Sequence, residues 1–177
     1  MPLPKLTEKQ IRELVGLVGG YIAEQRSAFL PRAQPIAAID MRLLQPFFPA
    51  DVLDAVRVIR GRAAEPSFYS RLRAMGIRNA PPFSDMAGVT FHDVLIHVEP
   101  ITRSLLFHEL VHAVQYKHLG MQEFANRYVR GFLTGGSYEE IPLEKQAYEL
   151  EARFAADPVA TFSVEEDVSE RIRLNRL

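Results

Sequence analysis

The chain has no cysteine. A disulfide scaffold, a thiolate zinc site and a cysteine nucleophile are therefore excluded. It also has no excess charge of one sign: 21 Lys and Arg stand against 22 Asp and Glu, a net charge of −1. Nothing global draws it to nucleic acid or to an anionic membrane surface. No run approaches 18 apolar residues, and the opening "MPLPKLTEKQIRELV" is not of signal-peptide type. The expectation is a soluble, cytoplasmic protein. Internal repeats and low-complexity segments are missing too. What remains is ordinary globular composition, 47% hydrophobic and 24% charged over 177 residues. That length suits one domain, residues 1–177, with a core of its own.

Thr7 followed by Gln10 reads as a capping box. Ile11, Leu14, Val15, Val18 and Ile22 then recur at helical spacing, which predicts a helix over 8–29. Pro31 and Pro35 end it, and residues 31–50 read as an irregular packed connection or a short helix. "DAVRVIRG" predicts a strand near 55–60. "SFYSRLRAM" predicts a helix ending at Gly76, and "NAPPFSDMAG" a loop. "VTFHDVLIHVEP" predicts two short strands meeting at His92-Asp93. A helical pattern follows from Thr102 to Leu119 with Gly120 as its C-cap, then another over 121–133. Pro142 suits the first turn of a further helix running to Ala156. The tail over 159–177 is weakly patterned. The fold class expected is α+β: mostly helical, with a small sheet near the middle of the chain.

The central feature is "LLFHELVHAVQ", residues 105–115. Leu106, Phe107, Leu110, Val111 and Val114 cover most of the helix circumference, as in a buried helix. His108 and His112, four apart, project from one face, and Glu109 lies about 100° further round. This is H-E-x-x-H, in which two imidazoles can bind zinc and the glutamate can reach a water on the metal. The alternative is two core histidines bonded to backbone or to each other. Burying each polar group unpartnered costs about 1–3 kcal/mol, and one divalent ion compensates all three together.

An open zinc site needs a third protein ligand, here His, Glu or Asp. On the helix from Pro142, residues Leu143, Ala147, Leu150 and Phe154 form a buried stripe. At about 100° per residue, Glu144 and Glu151 border that stripe, while Glu149 points away and pairs with Arg153. Glu144 is the chosen ligand, because Ala147 one turn on lets this helix come close. Glu151 is the alternative.

"HELVH" followed some thirty residues later by "EKQAY" resembles the gluzincin metallopeptidases, the thermolysin-like group with a glutamate third ligand. "DVLDAVRVIRG", "MAGVTFHDVLIHVEP" and "LLFHELVHAVQ" together are similar to a family of small bacterial gluzincin-type domains with an HELxHxxQ helix. The likeness spans residues 51–155. It implies a minimal zincin-like fold and zinc-dependent hydrolysis of a peptide or protein substrate. It implies His108, His112 and Glu144 as ligands of one Zn2+, with Glu109 as general base and acid. It also implies that Val94, Leu95, Ile96, His97 and Val98 form an edge strand receiving extended peptide. One position departs. Gluzincins commonly place an aspartate four residues after the ligand glutamate, behind a zinc histidine; Tyr148 stands there, able to hydrogen-bond but without charge. For the oxyanion of such a reaction, Tyr138, Tyr148, Tyr116 and His118 are candidate donors, with Tyr138 preferred for its place just before the ligand helix.

Other patterns carry less. Arg57, Arg60, Arg62, Arg71, Arg73 and Arg78 make a basic stretch expected to be a solvated face rather than a nucleic-acid surface. The glycines of "RGFLTGGSYEE" lack the lysine of a phosphate loop. Helix 8–29 and the tail 159–177 lie outside the matched span, and either is placed to cover a cleft. A domain of the same fold that binds metal without catalysis, a binding or scaffold module, is the competing functional expectation.

Overall fold

Helix α1 (Glu8–Phe29) starts where the capping box directs it. The Thr7 hydroxyl accepts from the Gln10 amide at 3.3 Å, and the Gln10 side chain accepts from the Thr7 amide at 2.8 Å. The computed structural model describes residues 3–177, and for residues 38 and 39 the backbone alone. α1 buries Leu14, Val15, Tyr21 and Ile22. Pro31 then forces a 3-10 turn, Leu30–Arg32. The stretch expected to be irregular resolves into β1 (Gln34–Pro35), α2 (Ala38–Leu44) and α3 (Ala50–Ala55). Between the two helices, Phe47 and Phe48 pack on Phe107 with ring centroids 5.6 and 4.8 Å away.

The other strands are β2 (Arg57–Arg60), β3 (Gly88–Phe91) and β4 (Val94–His97), with α4 (Tyr69–Ala74) in the crossover after β2. The order across the sheet is β1-β2-β4-β3. β3 and β4 form a hairpin through His92-Asp93, with His92 in the left-handed region at φ 63°. Arg26 of α1 clamps that turn, its guanidinium donating to both Asp93 carboxylate oxygens at 2.5 and 2.8 Å.

One expectation is corrected. Val94, Leu95, Ile96 and His97 do not form an edge: β4 is paired on both sides, parallel to β2 and antiparallel to β3. Val98, just beyond it, donates to the Ala87 carbonyl at 3.0 Å. The physical reason is the unbroken Val-Leu-Ile run, which is buried on both faces as interior strands are. The edge next to the long helix is β3.

α5 (Arg103–Gly135) opens at Thr102, whose hydroxyl accepts from the Leu105 amide. Gly120, at φ 69° and ψ 169°, breaks its helical geometry where a C-cap was expected, so the two predicted helices run on across a kink. α6 (Pro142–Ala156) has the predicted bounds. The tail holds an unforeseen helix, α7 (Val164–Arg173), capped by Ser163 on the Glu166 amide. Two apolar clusters share α5: one with α1, β3 and the helix beyond Gly120, the other with α3, α6 and α7. The result is an α+β fold, mostly helical with a small mixed sheet. Among the described residues no helix is long and apolar enough to cross a membrane.

α6 comes close to α5 at Gly131, where an added Cβ would stand 2.6 Å from Pro142 Cδ. Gly131→Ala gains about 1 kcal/mol of helix propensity but forces a rigid ring aside, at about 2–3 kcal/mol, the upper part of the usual overpacking cost. The expected net result is a loss of about 1–2 kcal/mol in urea denaturation. An unchanged midpoint would mean that α6 shifts freely.

Candidate metal centre

The apolar residues of α5 fix that helix between the sheet and α6, so its polar face has nowhere to go but inward. His108, Glu109 and His112 are only 4–5% exposed. α6 delivers Glu144, 3% exposed, in its first turn, where the helix N-terminus favours a carboxylate. Ala147, fully buried behind it, permits the close approach.

Three ligand atoms converge. His108 Nε2 and His112 Nε2 are 3.2 Å apart, and Glu144 Oε2 lies 3.5 and 3.3 Å from them. Among the described residues this is the one group of three or more His, Cys, Asp or Glu side chains whose ligand atoms lie within 4.8 Å of one another. The far nitrogens have partners that accept only. His108 Nδ1 faces Glu151 Oε2 at 3.1 Å, and His112 Nδ1 faces Gln115 Oε1 at 2.8 Å. Each Nδ1 therefore carries the proton, and each neutral ring turns its Nε2 lone pair inward. Two lone pairs and a carboxylate facing each other repel unless a cation or a proton sits between them. Bonds of about 2.0–2.1 Å meeting at tetrahedral angles set donors about 3.3–3.4 Å apart, close to the observed spacing. The three residues can hold a metal ion.

Without metal, protons fill that role. Burial alone would lower the pKa of His108, but the carboxylates of Glu144 and Glu151 outweigh it and raise it to about 10. His112 is raised in the same sense, against its own burial, chiefly by Glu144. Glu144 is held at about 2, because the two imidazoles overcome the upward push of burial.

Glu109 stands beside the triad with a different environment. Burial pushes its pKa upward. The Thr90 hydroxyl of β3 donates to Glu109 Oε2 at 2.8 Å, and Glu109 Oε1 comes so near Gly88 that a Cβ there would be 2.9 Å away. A cavity of about 30 Å³, room for one or two waters, touches Glu109, His112, Glu144 and Tyr138. Val18, Tyr21 and Ile22 of α1 roof it.

The remaining candidates disperse. The Tyr138 hydroxyl donates to Glu144 Oε2 at 2.7 Å and so holds the candidate ligand carboxylate. Tyr148, 45% exposed, meets His108 by its ring, centroids 4.6 Å apart, while Glu151 occupies the hydrogen-bonding place behind that histidine. Tyr116 is buried in a stack on Phe124, and His118 pairs with Glu165 at 3.3 Å. His97 Nδ1 donates to the Glu99 carbonyl oxygen, 2.7 Å away. Glu149 meets Arg171 of α7 instead of Arg153, which lies over the Phe162 ring. Arg57 and Arg60 donate to backbone carbonyls, and Arg71 pairs with Glu13.

Sequence reasoning gives no role to Thr90, Gln115 or Gln146, although Gln115 closes the HELxHxxQ pattern. Gln115 alone had a local signal, three residues after a candidate ligand on the same helix face. Compared with protein-family models, with curated proteins and with solved structures, the chain finds no match. The gluzincin resemblance therefore rests on the residues quoted for it.

Proposed function

We propose that the protein is a zinc-dependent peptidase that uses His108, His112 and Glu144 as ligands and Glu109 as general base. The observation that carries this reading is the spacing of the three ligand atoms, 3.2 to 3.5 Å, around two inward lone pairs. Zinc suits a His, His, Glu set with an open position better than calcium or magnesium does. When bound, such an ion lowers the pKa of a water to about 7 and polarises a carbonyl oxygen.

The chain's own residues supply the rest. Glu109 takes the proton from the attacking water and returns it to the leaving amine. Its raised pKa brings it nearer to neutrality, where both transfers are matched. Thr90 fixes the direction of its carboxylate. Tyr138 lines the same cavity and is the proposed donor to the oxyanion, once its hydroxyl leaves Glu144. An extended substrate joining the sheet would add at β3, the strand that carries Thr90.

A second reading, a metal-stabilised binding module without catalysis, is favoured by one observation: the triad is almost wholly buried under α1. Protein purified without added metal is expected to hold about one zinc per chain by elemental analysis, or to take it up on reconstitution. Less than about half an equivalent after reconstitution would sink both readings. A peptide library then separates them. Cleavage that stops with a chelator and returns with zinc supports the peptidase; full zinc content with no cleavage supports the binding module.

A further inference from the structure

Behind His112 runs a chain of side-chain hydrogen bonds that the proposed reaction does not use. His112 Nδ1 meets Gln115 Oε1 at 2.8 Å. Gln115 Nε2 donates to the Leu143 carbonyl at 2.9 Å and to Gln146 Oε1 at 3.0 Å. Gln146 Nε2 donates to Asp167 Oδ1 at 2.7 Å. Gln115 and Gln146 are fully buried, and Asp167 sits on α7 with Arg171 Nε 3.0 Å away.

The orientation of every amide in this chain is forced by its terminus. A carboxylate and a backbone carbonyl only accept. Asp167 therefore compels Gln146 to turn its NH2 outward and its oxygen toward Gln115. Leu143 and Gln146 both then demand the NH2 of Gln115. What is left for His112 is an acceptor, so its proton must lie on Nδ1 and its lone pair on Nε2.

We propose that Gln115, Gln146 and Asp167 form a one-way relay by which α7 fixes the tautomer of His112 and aims its Nε2 at the metal position. These are positioning residues, and the proposal rests on the metal-site reading above. It gives the tail a role that covering the cavity does not: α7 packs on α5 and α6, away from the α1 roof.

The test compares full-length parent, Gln115→Leu, Gln115→Glu and Asp167→Ala. Zinc affinity is read by competition with a chromophoric chelator, and the His112 ring by 15N spectra with and without zinc. Gln115→Leu is expected to weaken zinc binding about 10- to 100-fold, and Asp167→Ala about 3- to 10-fold. Gln115→Glu keeps an acceptor for His112 but loses both donations, to the Leu143 carbonyl and to Gln146 Oε1, so it is read by its ring spectrum, in which neutral His112 should stay protonated at Nδ1. Affinities of Gln115→Leu and Asp167→Ala within twofold of the parent would overturn the relay. So would a neutral His112 tautomer that is the same in Gln115→Leu as in the parent, which would indicate that Gln115 only packs. Should Gln115→Leu not fold, Asp167→Ala, altered on a partly exposed helix face, decides the matter. A parent that binds no zinc defeats the metal reading instead. The relay is then judged on the metal-free spectrum, where a neutral His112 protonated at Nε2 refutes it.

Discussion

Glu109→Gln should abolish peptide hydrolysis, by about 10²- to 10⁴-fold, while leaving zinc content at the parent level. The side chains are nearly isosteric, and the Thr90 hydroxyl that meets Glu109 Oε2 can meet an amide oxygen as well. The same variant should be more stable than the parent at neutral and alkaline pH. Burial raises the folded-state pKa of Glu109, so ionising it costs more in the folded chain than in the unfolded one. That cost is absent at low pH and grows as pH climbs above the ordinary carboxylate range. A glutamine removes it. Gained stability with lost activity is the signature of a group kept for chemistry at the expense of the fold. Thermal unfolding at pH 8 alongside a cleavage assay makes the check. A variant that loses zinc, or melts lower than the parent, would place Glu109 among the structural polar groups and defeat its role as base.

The parts of this molecule legible in its sequence are those decided within one or two helical turns. Thr7 and Gln10 announced α1, Pro142 announced α6, and the four-residue spacing of His108 and His112 put both on one face. Glu144 and Glu151 were harder. Both border the buried stripe of α6 in a helical projection, and the angle at which α6 crosses α5 decides which histidine nitrogen each meets. In the structure one carboxylate faces the two Nε2 atoms and the other backs His108 Nδ1. The strand over 94–97 was legible as a strand but not as a central one, because its partner β2 pairs with it across more than thirty intervening residues. Helix α7 had a readable cap in Ser163 and Glu166, yet only Val164, Val168 and Ile172 mark its apolar side, too short a stripe for periodicity to carry. Thr90 and Gln146 left still less trace, since a single buried polar residue looks like any other until its partners arrive from other elements.

Removing the metal should change not only stability but its dependence on pH. In the metal-free chain the triad is held by protons. His108 has its pKa raised from 6.5 to about 10, so its contribution is fully present below pH 6.5 and is lost as pH rises through about 10. Glu144 has its pKa lowered from 4.5 to about 2, so its contribution is present above pH 4.5 and is lost as pH falls through about 2. These two groups therefore favour the metal-free fold most between about pH 4.5 and 6.5, with a decline on the alkaline side. On the proposed reading zinc should invert that slope, because it would displace the protons that bridge the triad and so bind more tightly as pH rises. At a free concentration 100 times its Kd it adds about 2.7 kcal/mol of stability. The gap between the melting temperatures of zinc-loaded and chelator-treated protein should widen steadily from pH 6 to pH 9. Glu144→Gln tests the cause. It removes the charge that both raises the histidine pKa values and completes the ligand set, so the gap should collapse and the alkaline decline of the metal-free protein should flatten. A gap that stays constant with pH, or a metal-free protein that gains stability above pH 6.5, would mean that His108, His112 and Glu144 are held by something other than a shared cation.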